Sequence, residues 1–383
     1  MDEFDLRLRY RVIYTQDSAQ RALSLCQESG AKRVFLVTDP GVQGAGLHAP
    51  LAQAMQAKEI SFEIFSQVEP NPTSLNVAQG LQVAKDFQPD MFLALGGGSA
   101  MDCAKAINVL LVRGGQLKDY VGLVKGGRDL LPLLALPTTA GTGSEVSPFL
   151  LITDSQTHGK LVVNDQKAIP GAAILDPTLT VSLPPQTTLY SGIDALVHGC
   201  EAFVARGSQP YSKALALKAI GLIVESLPRV MATPKEIESR GRMLIASNLA
   251  GLAFSLSYLG LSHAAANALA KAAALTHGLA VGLMLPYVIR FNAAAVPEEY
   301  LQIAQYIFKD QCPQDSQEAT LKLADFLEQF CRNLGMPRNL RAVGIKEEQI
   351  PEMAQEALVQ ATVKSNPRQP KLEDLLAIFR QAL

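Results

Sequence analysis

In MFLALGGGSAMDCAKAI, residues 91–107, a short apolar run with strand character stops at Gly96, Gly97 and Gly98, and a helical pattern begins at about Ser99. Glycines leave the backbone N–H groups bare, and the first N–H groups of a helix have no partners of their own. The turn is therefore suited to hold a pyrophosphate. A tight strand-to-helix turn that binds nothing has the same local sequence, so this stretch decides the fold before it decides the function.

Working outward, the same grammar recurs through the first half. RVFLVTD (33–39), SFEIFSQ (61–67), MFLALGGGS (91–99), LLALPTT (133–139) and AAILD (172–176) read as strands, separated by amphipathic stretches such as 74–87 and 99–111. Strands alternating with helices predict a parallel α/β sheet. From about Pro184 the character changes to long Ala- and Leu-rich helical patterns. The expectation is an α/β nucleotide-binding domain over residues 1–185 and an all-helical domain over 186–383, with no internal repeat.

The chain has 383 residues, 48% of them hydrophobic and 18% charged, with a net charge of -2, which describes an ordinary globular protein with enough chain for two cores. Lys and Arg nearly balance Asp and Glu and no basic run appears, so nucleic acid is not an expected partner. The N-terminal MDEFDLRLRYRVIYT mixes acids and bases where a secretory signal would be basic and then apolar, and is read as mature sequence. Residues 243–261 carry no charge over a length that could span a bilayer, but Asn248 and several serines favour a core helix, so no membrane partner is expected. Cys26, Cys103, Cys200, Cys312 and Cys331 are far apart with no CxxC, which suggests neither disulfides nor a zinc ribbon and fits a reducing cytoplasm.

A second loop, LPTTAGTGSEVS (136–147), also follows a strand and offers the Thr138, Thr139 and Thr142 hydroxyls among small residues. Neither loop is a GxxxxGKS or GxGxxG motif. Asp39 closes the strand at VTDPG. It is either a turn residue ahead of Pro40 or an acid that accepts hydrogen bonds from a ribose diol and repels a 2′-phosphate, and local sequence leaves both open.

In the second half, GIDALVHGC (192–200) places Asp194 and His198 four residues apart, on one helix face, where both can meet one ion. Of the remaining histidines, His48 and His158 fall in turn-like contexts, while His263 and His277 fall in helical ones. On one unbroken helix the latter two would stand about 21 Å apart, far beyond metal bonds of about 2.1 Å. A chain reversal between them is required, and Gly278 is a plausible break. Separately satisfied core histidines remain the alternative.

These motifs together resemble the iron-containing (group III) alcohol dehydrogenases, nearly end to end. The resemblance is carried by TDPG (38–41), VEPNPT (68–73), GGGSAMDCAKAI, PTTAGTGSE (137–145), ILDPTLT (174–180), LPPQTT (183–188), GIDALVHGCEAFV, GLSHA (260–264), HGLAVGLMLP (277–286) and NPR (366–368). It implies an N-terminal nucleotide-binding α/β domain, a C-terminal helical domain and a homodimeric, NAD-dependent enzyme. Carried over by position, the metal ligands fall on Asp194, His198, His263 and His277, typically around Fe²⁺, a donor set that also suits Zn²⁺. The nucleotide contacts fall on Asp39, Asn71, Gly97, Gly98, Ser99, Asp102, Thr138, Thr139, Thr142, Leu151, Lys160 and Leu179. Asp39 matches the position associated with preference for NAD over NADP.

The implied reaction is reversible hydride transfer between NAD(H) and a small primary alcohol or aldehyde, with the metal as Lewis acid. The chain departs from the family pattern at HAAAN, where Asn267 replaces the second histidine of His-Ala-x-Ala-His, at ALAKAAAL (268–275), and at Thr276, where proline is usual. Asn267 is thus a candidate for an altered proton path. A glycerol-dehydrogenase-like polyol oxidoreductase, a dehydroquinate-synthase-like cyclase, and a non-catalytic nucleotide-binding scaffold with a structural metal are the competing readings.

Overall fold

The computed structural model of the chain describes residues 10–273 and 275–383; most of the N-terminal stretch read above for a secretory pattern lies outside them, as does Ala274. The chain divides into two compact units, with the division at Leu183 and Pro184.

The first unit runs through β1 (Arg11–Tyr14), α1 (Ser18–Glu28), β2 (Arg33–Val37), α2 (Pro40–Gly44), α3 (Ala49–Gln56), β3 (Ser61–Phe65) and α4 (Ser74–Phe87). It continues through β4 (Met91–Gly96), α5 (Gly98–Arg113), β5 (Gly122–Leu123), β6 (Leu133–Pro137), β7 (Phe149–Thr153), β8 (Lys160–Asn164) and β9 (Ala172–Leu175). Six strands form a sheet in the order β1-β9-β6-β4-β2-β3, and every pairing in it is parallel. The central strands are buried on both faces, which is why they read as unbroken apolar runs. Val34 and Leu36 of β2 and Leu93 and Leu95 of β4 join one apolar layer with α1 and α3. The alternate residues, Phe35, Val37, Phe92 and Ala94, join the other with α4 and α5.

The topology also makes a crevice. From β2 the chain proceeds to β3 on one side, and from β4 it proceeds to β6 on the other, so the loops after β2 and β4 diverge at the carboxyl edge of the sheet. Open α/β sheets bind ligands at such a switch point. Gly96 ends β4 with φ +155, and a Cβ there would lie 2.7 Å from that of Ala100, so only glycine fits the turn. A smaller sheet, β5-β8-β7, was not expected from the sequence.

The second unit holds α6 (Pro185–Val204), α7 (Pro210–Ala232), α8 (Ile237–Ser257), α9 (Leu261–Ala273), α10 (His277–Asn292), α11 (Pro297–Phe308), α12 (Ser316–Asn333), α13 (Ile350–Leu358) and α14 (Leu372–Ala382). Helix α6 is buried at every residue from Gly192 to Val204 and packs against α7, α8 and α10. A helix buried all round belongs at the centre of such a bundle, and here it carries Asp194, His198 and Glu201 there with it.

Two expectations are corrected. Residues 243–261 are not one helix: α8 stops at Ser257, Tyr258 takes φ 68, and α9 leaves at 103° to α8. No single helix among the described residues is long and apolar enough to cross a membrane, although the bent pair α8 and α9 passes by length and composition. Secondly, Gly278 is not the break between the metal-bearing helices. It is the second residue of α10, and a Cβ there would lie 2.0 Å from the Tyr190 carbonyl oxygen, so its role is close approach of α10 to α6.

Candidate metal centre and nucleotide loops

One turn of α6 separates Asp194 from His198, α9 carries His263 in its first turn, and α10 opens with His277. Asp194 Oδ1 lies 3.6 Å from His198 Nε2, 3.8 Å from His263 Nε2 and 3.6 Å from His277 Nε2. These separations are too long for hydrogen bonds. Ligand atoms each about 2.1 Å from one ion at tetrahedral angles would stand about 3.4 Å apart. Asp194, His263 and His277 offer ligand atoms all within 4.8 Å of one another, and His198 joins them through its approach to Asp194. The His198 and His263 rings stack at 4.9 Å, with the Phe254 ring 4.7 Å from His198 on its other contact.

Asp194, His198 and His263 are buried, whereas the His277 side chain is 41% exposed. Among the described residues, neither Asp194 Oδ1 nor His263 Nε2 has a hydrogen-bond partner. Burial holds the Asp194 carboxyl above its ordinary range, against the opposing pull of His277 and His263. A buried carboxyl oxygen and a buried imidazole nitrogen, each without a hydrogen-bond partner, are costly alone. A divalent cation satisfies both, so the residues fit the metal that the resemblance implies.

Sequence reasoning missed Glu201. It is buried on α6, and its carboxylate meets His263 Nδ1 at 2.6 Å. Its signal was present: Glu201 lies seven residues after Asp194, two turns along the same helix face. Asn267 donates from its side-chain amide to Gln360 Oε1 at 3.1 Å. Thr276 stands at the N-cap position of α10 without a side-chain cap hydrogen bond and has φ -64, a value that proline also adopts, so the backbone before His277 suits either residue.

In the α/β unit, the loops after β2, β4 and β6 adjoin. A Cβ on Gly96 would lie 3.0 Å from Asp39 Oδ2, one on Gly97 would lie 3.3 Å from the Thr139 side chain, and one on Gly98 would lie 2.8 Å from that of Thr142. Asp39, Gly97, Gly98, Ser99, Thr139 and Thr142 are thus brought to one place, with Thr138 buried beneath and its N–H bonded to Gly96 O at 3.0 Å. Asp39 Oδ1 accepts from Val42 N at 2.9 Å, so it is a turn-capping residue whatever else it does.

The remaining positions are placed differently. Asp102 accepts from Ser144 Oγ at 2.6 Å and from Leu151 N at 2.9 Å, so both of its oxygens and the Leu151 N–H are engaged within the protein. Lys160 Nζ donates to Thr153 Oγ1 at 2.9 Å. Leu179 sits in the apolar layer with Leu95 and Leu136, and Asn71 holds a left-handed turn with φ 58. Lys105, another residue sequence reasoning passed over, is fully buried, and its Nζ donates to Ser144 O (2.7 Å), Ser144 Oγ, Ser147 O and Phe149 O (each 2.9 Å). It anchors the back of the 136–149 loop from α5, and burial pushes its amine down to about 8.

Comparison with known proteins agrees with this geometry. Residues 10–177 match the family model described as iron-containing alcohol dehydrogenase, and residues 188–383 match that of the C-terminal domain of the Fe-containing alcohol dehydrogenase family. The chain is 35% identical over 357 residues to an NAD-dependent methanol dehydrogenase of Bacillus methanolicus, covering 93% of this chain and 94% of that one. It is 33% identical over 355 residues to a lactaldehyde reductase of Escherichia coli, covering 92% of each. Its fold matches a solved 1,3-propanediol oxidoreductase with a TM-score of 0.96 at 34% identity over the whole of both chains. The chain belongs to the iron-containing alcohol dehydrogenase family.

Proposed function

We propose that this alcohol dehydrogenase transfers hydride reversibly between NAD(H) and a small primary alcohol or its aldehyde, with Fe²⁺ held by Asp194, His198, His263 and His277. The observation that carries the reading is the pair of buried, unpartnered atoms, Asp194 Oδ1 and His263 Nε2, facing each other at 3.8 Å. Zn²⁺ suits the same donors, and Fe²⁺ is preferred on the family's name. Bound there, the cation supplies Lewis acidity toward an alcohol oxygen.

The chain's own residues do the rest. The exposed side of His277 leaves the site open, unlike the closed shell of a structural metal. The bare backbone of Gly97 and Gly98, the first turn of α5 at Ser99, and the Thr139 and Thr142 side chains form the concavity for the pyrophosphate. Asp39, beside Gly96 at the end of β2, takes the ribose diol and selects NAD over NADP. Asn267 carries an amide, which does not titrate in the working range and is bonded to Gln360 Oε1, so the alcohol proton would have to leave by water or by a hydroxyl of the bound cofactor rather than through position 267. Five free, buried cysteines suit a reducing cytoplasm, and we propose a homodimer there. The test is NADH formation with a panel of short primary alcohols and diols. A chain that binds NAD and metal but turns over none of them would overturn the reading.

A further inference from the structure

Three consecutive N–H groups lead into α9, and side chains from distant parts of the chain take all three. Gly260 N donates to Glu201 Oε2 at 2.8 Å, Leu261 N to Asn366 Oδ1 at 3.2 Å, and Ser262 N to Glu201 Oε1 at 2.5 Å. The first N–H groups of a helix have no intrahelical partner and carry the positive end of its dipole, so a carboxylate belongs there. Glu201 does something further with the same carboxylate: Oε2 also meets His263 Nδ1 at 2.6 Å.

An ionised carboxylate only accepts hydrogen bonds. With backbone N–H groups already pointing at both oxygens, a contact of this length to Nδ1 requires that Nδ1 carry the proton. In the neutral ring Nε2 is then the bare nitrogen, and Nε2 is the atom that faces Asp194 Oδ1 and has no hydrogen-bond partner among the described residues. We infer that Glu201 is a positioning residue for the metal centre: it holds the entrance of α9 and fixes His263 in the Nδ1–H tautomer, so that Nε2 is presented as a ligand.

The inference rests on the metal reading above and extends it to a residue outside the ligand set. Carboxylate partners of this kind orient metal-binding imidazoles, and their loss typically costs about 10–100-fold in metal affinity. A bare helix cap would contribute to folding without selecting a tautomer. Asn366 provides the contrast, because it holds the same turn through Leu261 N, with no hydrogen bond to His263 among those of the described residues.

The experiment uses the full chain, the variants Glu201→Gln, Glu201→Asp and Asn366→Asp, and Zn²⁺ as the probe. Two quantities are read: Zn²⁺ affinity by competition with a chromophoric chelator, and the His263 tautomer in metal-free protein from ¹⁵N shifts of labelled histidine. Glu201→Gln must turn its NH₂ either toward Ser262 N or toward both Gly260 N and His263 Nδ1. It is expected to bind Zn²⁺ about 10–100-fold more weakly and to lose the Nδ1–H tautomer. Asn366→Asp is expected to keep the tautomer. Glu201→Asp retains the charge, should keep the tautomer at reduced affinity, and serves if the glutamine variant does not fold. In the aspartate variant a lost Nδ1–H tautomer with unchanged Zn²⁺ affinity overturns the inference. A folded Glu201→Gln with unchanged tautomer and affinity overturns the inference. Failure of the unmutated chain to bind Zn²⁺ or Fe²⁺ overturns instead the reading beneath it, and the tautomer measurement tells the two apart.

Discussion

The metal centre and the nucleotide loops are finished to different degrees by the protein alone. At the metal centre, Asp194 Oδ1 and His263 Nε2 are buried without hydrogen-bond partners among the described residues. In the α/β unit, Asp39, Asp102 and Lys105 each have theirs: Val42 N for the first, Ser144 Oγ and Leu151 N for the second, and four oxygens of the 144–149 segment for the third. One site leaves two buried polar atoms whose missing partner a cation supplies, and the other is a self-satisfied cradle. Metal and NAD should therefore differ in how strongly they are coupled to folding.

The largest consequence is for stability. A metal present at about 1,000 times its dissociation constant stabilises the native state by about 4 kcal/mol, so chelation should lower the melting temperature of the chain by several degrees, more than removal of NAD held at a smaller multiple of its own dissociation constant. The gap between metal-loaded and metal-free protein should also widen with pH. Without metal, burial keeps the Asp194 carboxyl above its ordinary range, so the native state binds a proton that the unfolded state has released. Stability of the metal-free form is then lost as the pH rises through the raised value. Calorimetry of both forms across the acidic range checks this; parallel curves would remove the distinction between the two sites.

Next in size is Lys105→Met. It leaves four oxygens in the 144–149 segment without their ammonium partner and should cost about 2 kcal/mol, by the rule for leaving buried acceptors unsatisfied. The KM for NAD should rise more than kcat falls, since the 136–149 loop loses its anchor. Denaturant unfolding and cofactor kinetics measure both, and an unchanged KM would mean that the loop holds its shape without Lys105.

How much of this was legible in the sequence follows from where each signal lives. Strands β2, β4, β6 and β9 were readable because burial on both faces makes an apolar run. Strands β7 and β8 were missed because residues such as Leu151 and Val162 are exposed hydrophobics on a hairpin, and β1 because its residues are mostly exposed. The four metal positions were readable from residue type and family spacing. Glu201 and Lys105 were not singled out, since a lone Glu or Lys in an apolar helix shows its role only when partners arrive from 59 or 39 residues away. The break after Ser257 was easy to pass over: Tyr258, not a glycine, takes the positive φ of 68, and Gly260 follows inside an otherwise uncharged run.

Two smaller effects sharpen the comparison within each site. Asp39→Gly should narrow the NAD-over-NADP gap in kcat/KM by about tenfold, or about 1.4 kcal/mol, because the carboxylate no longer repels a 2′-phosphate. Equal use of both cofactors by the unmutated protein would reduce Asp39 to its cap on Val42. Asn267→His should exchange the hydrogen bond to Gln360 for a titrating group four residues beyond His263. If position 267 lies on the proton path, kcat gains a pH-dependent step near the imidazole value of about 6.5. Superimposable profiles would assign Asn267 to its contact with Gln360 alone.

The most direct measurement is turnover of short primary alcohols with NAD in protein whose metal content is determined on the same sample, before chelation, after it, and after anaerobic return of Fe²⁺ or Zn²⁺, with Asp194→Asn as the companion. The account predicts activity that disappears with the metal, returns with it, and is not restored by metal in the variant. Full activity in verified metal-free protein would contradict it.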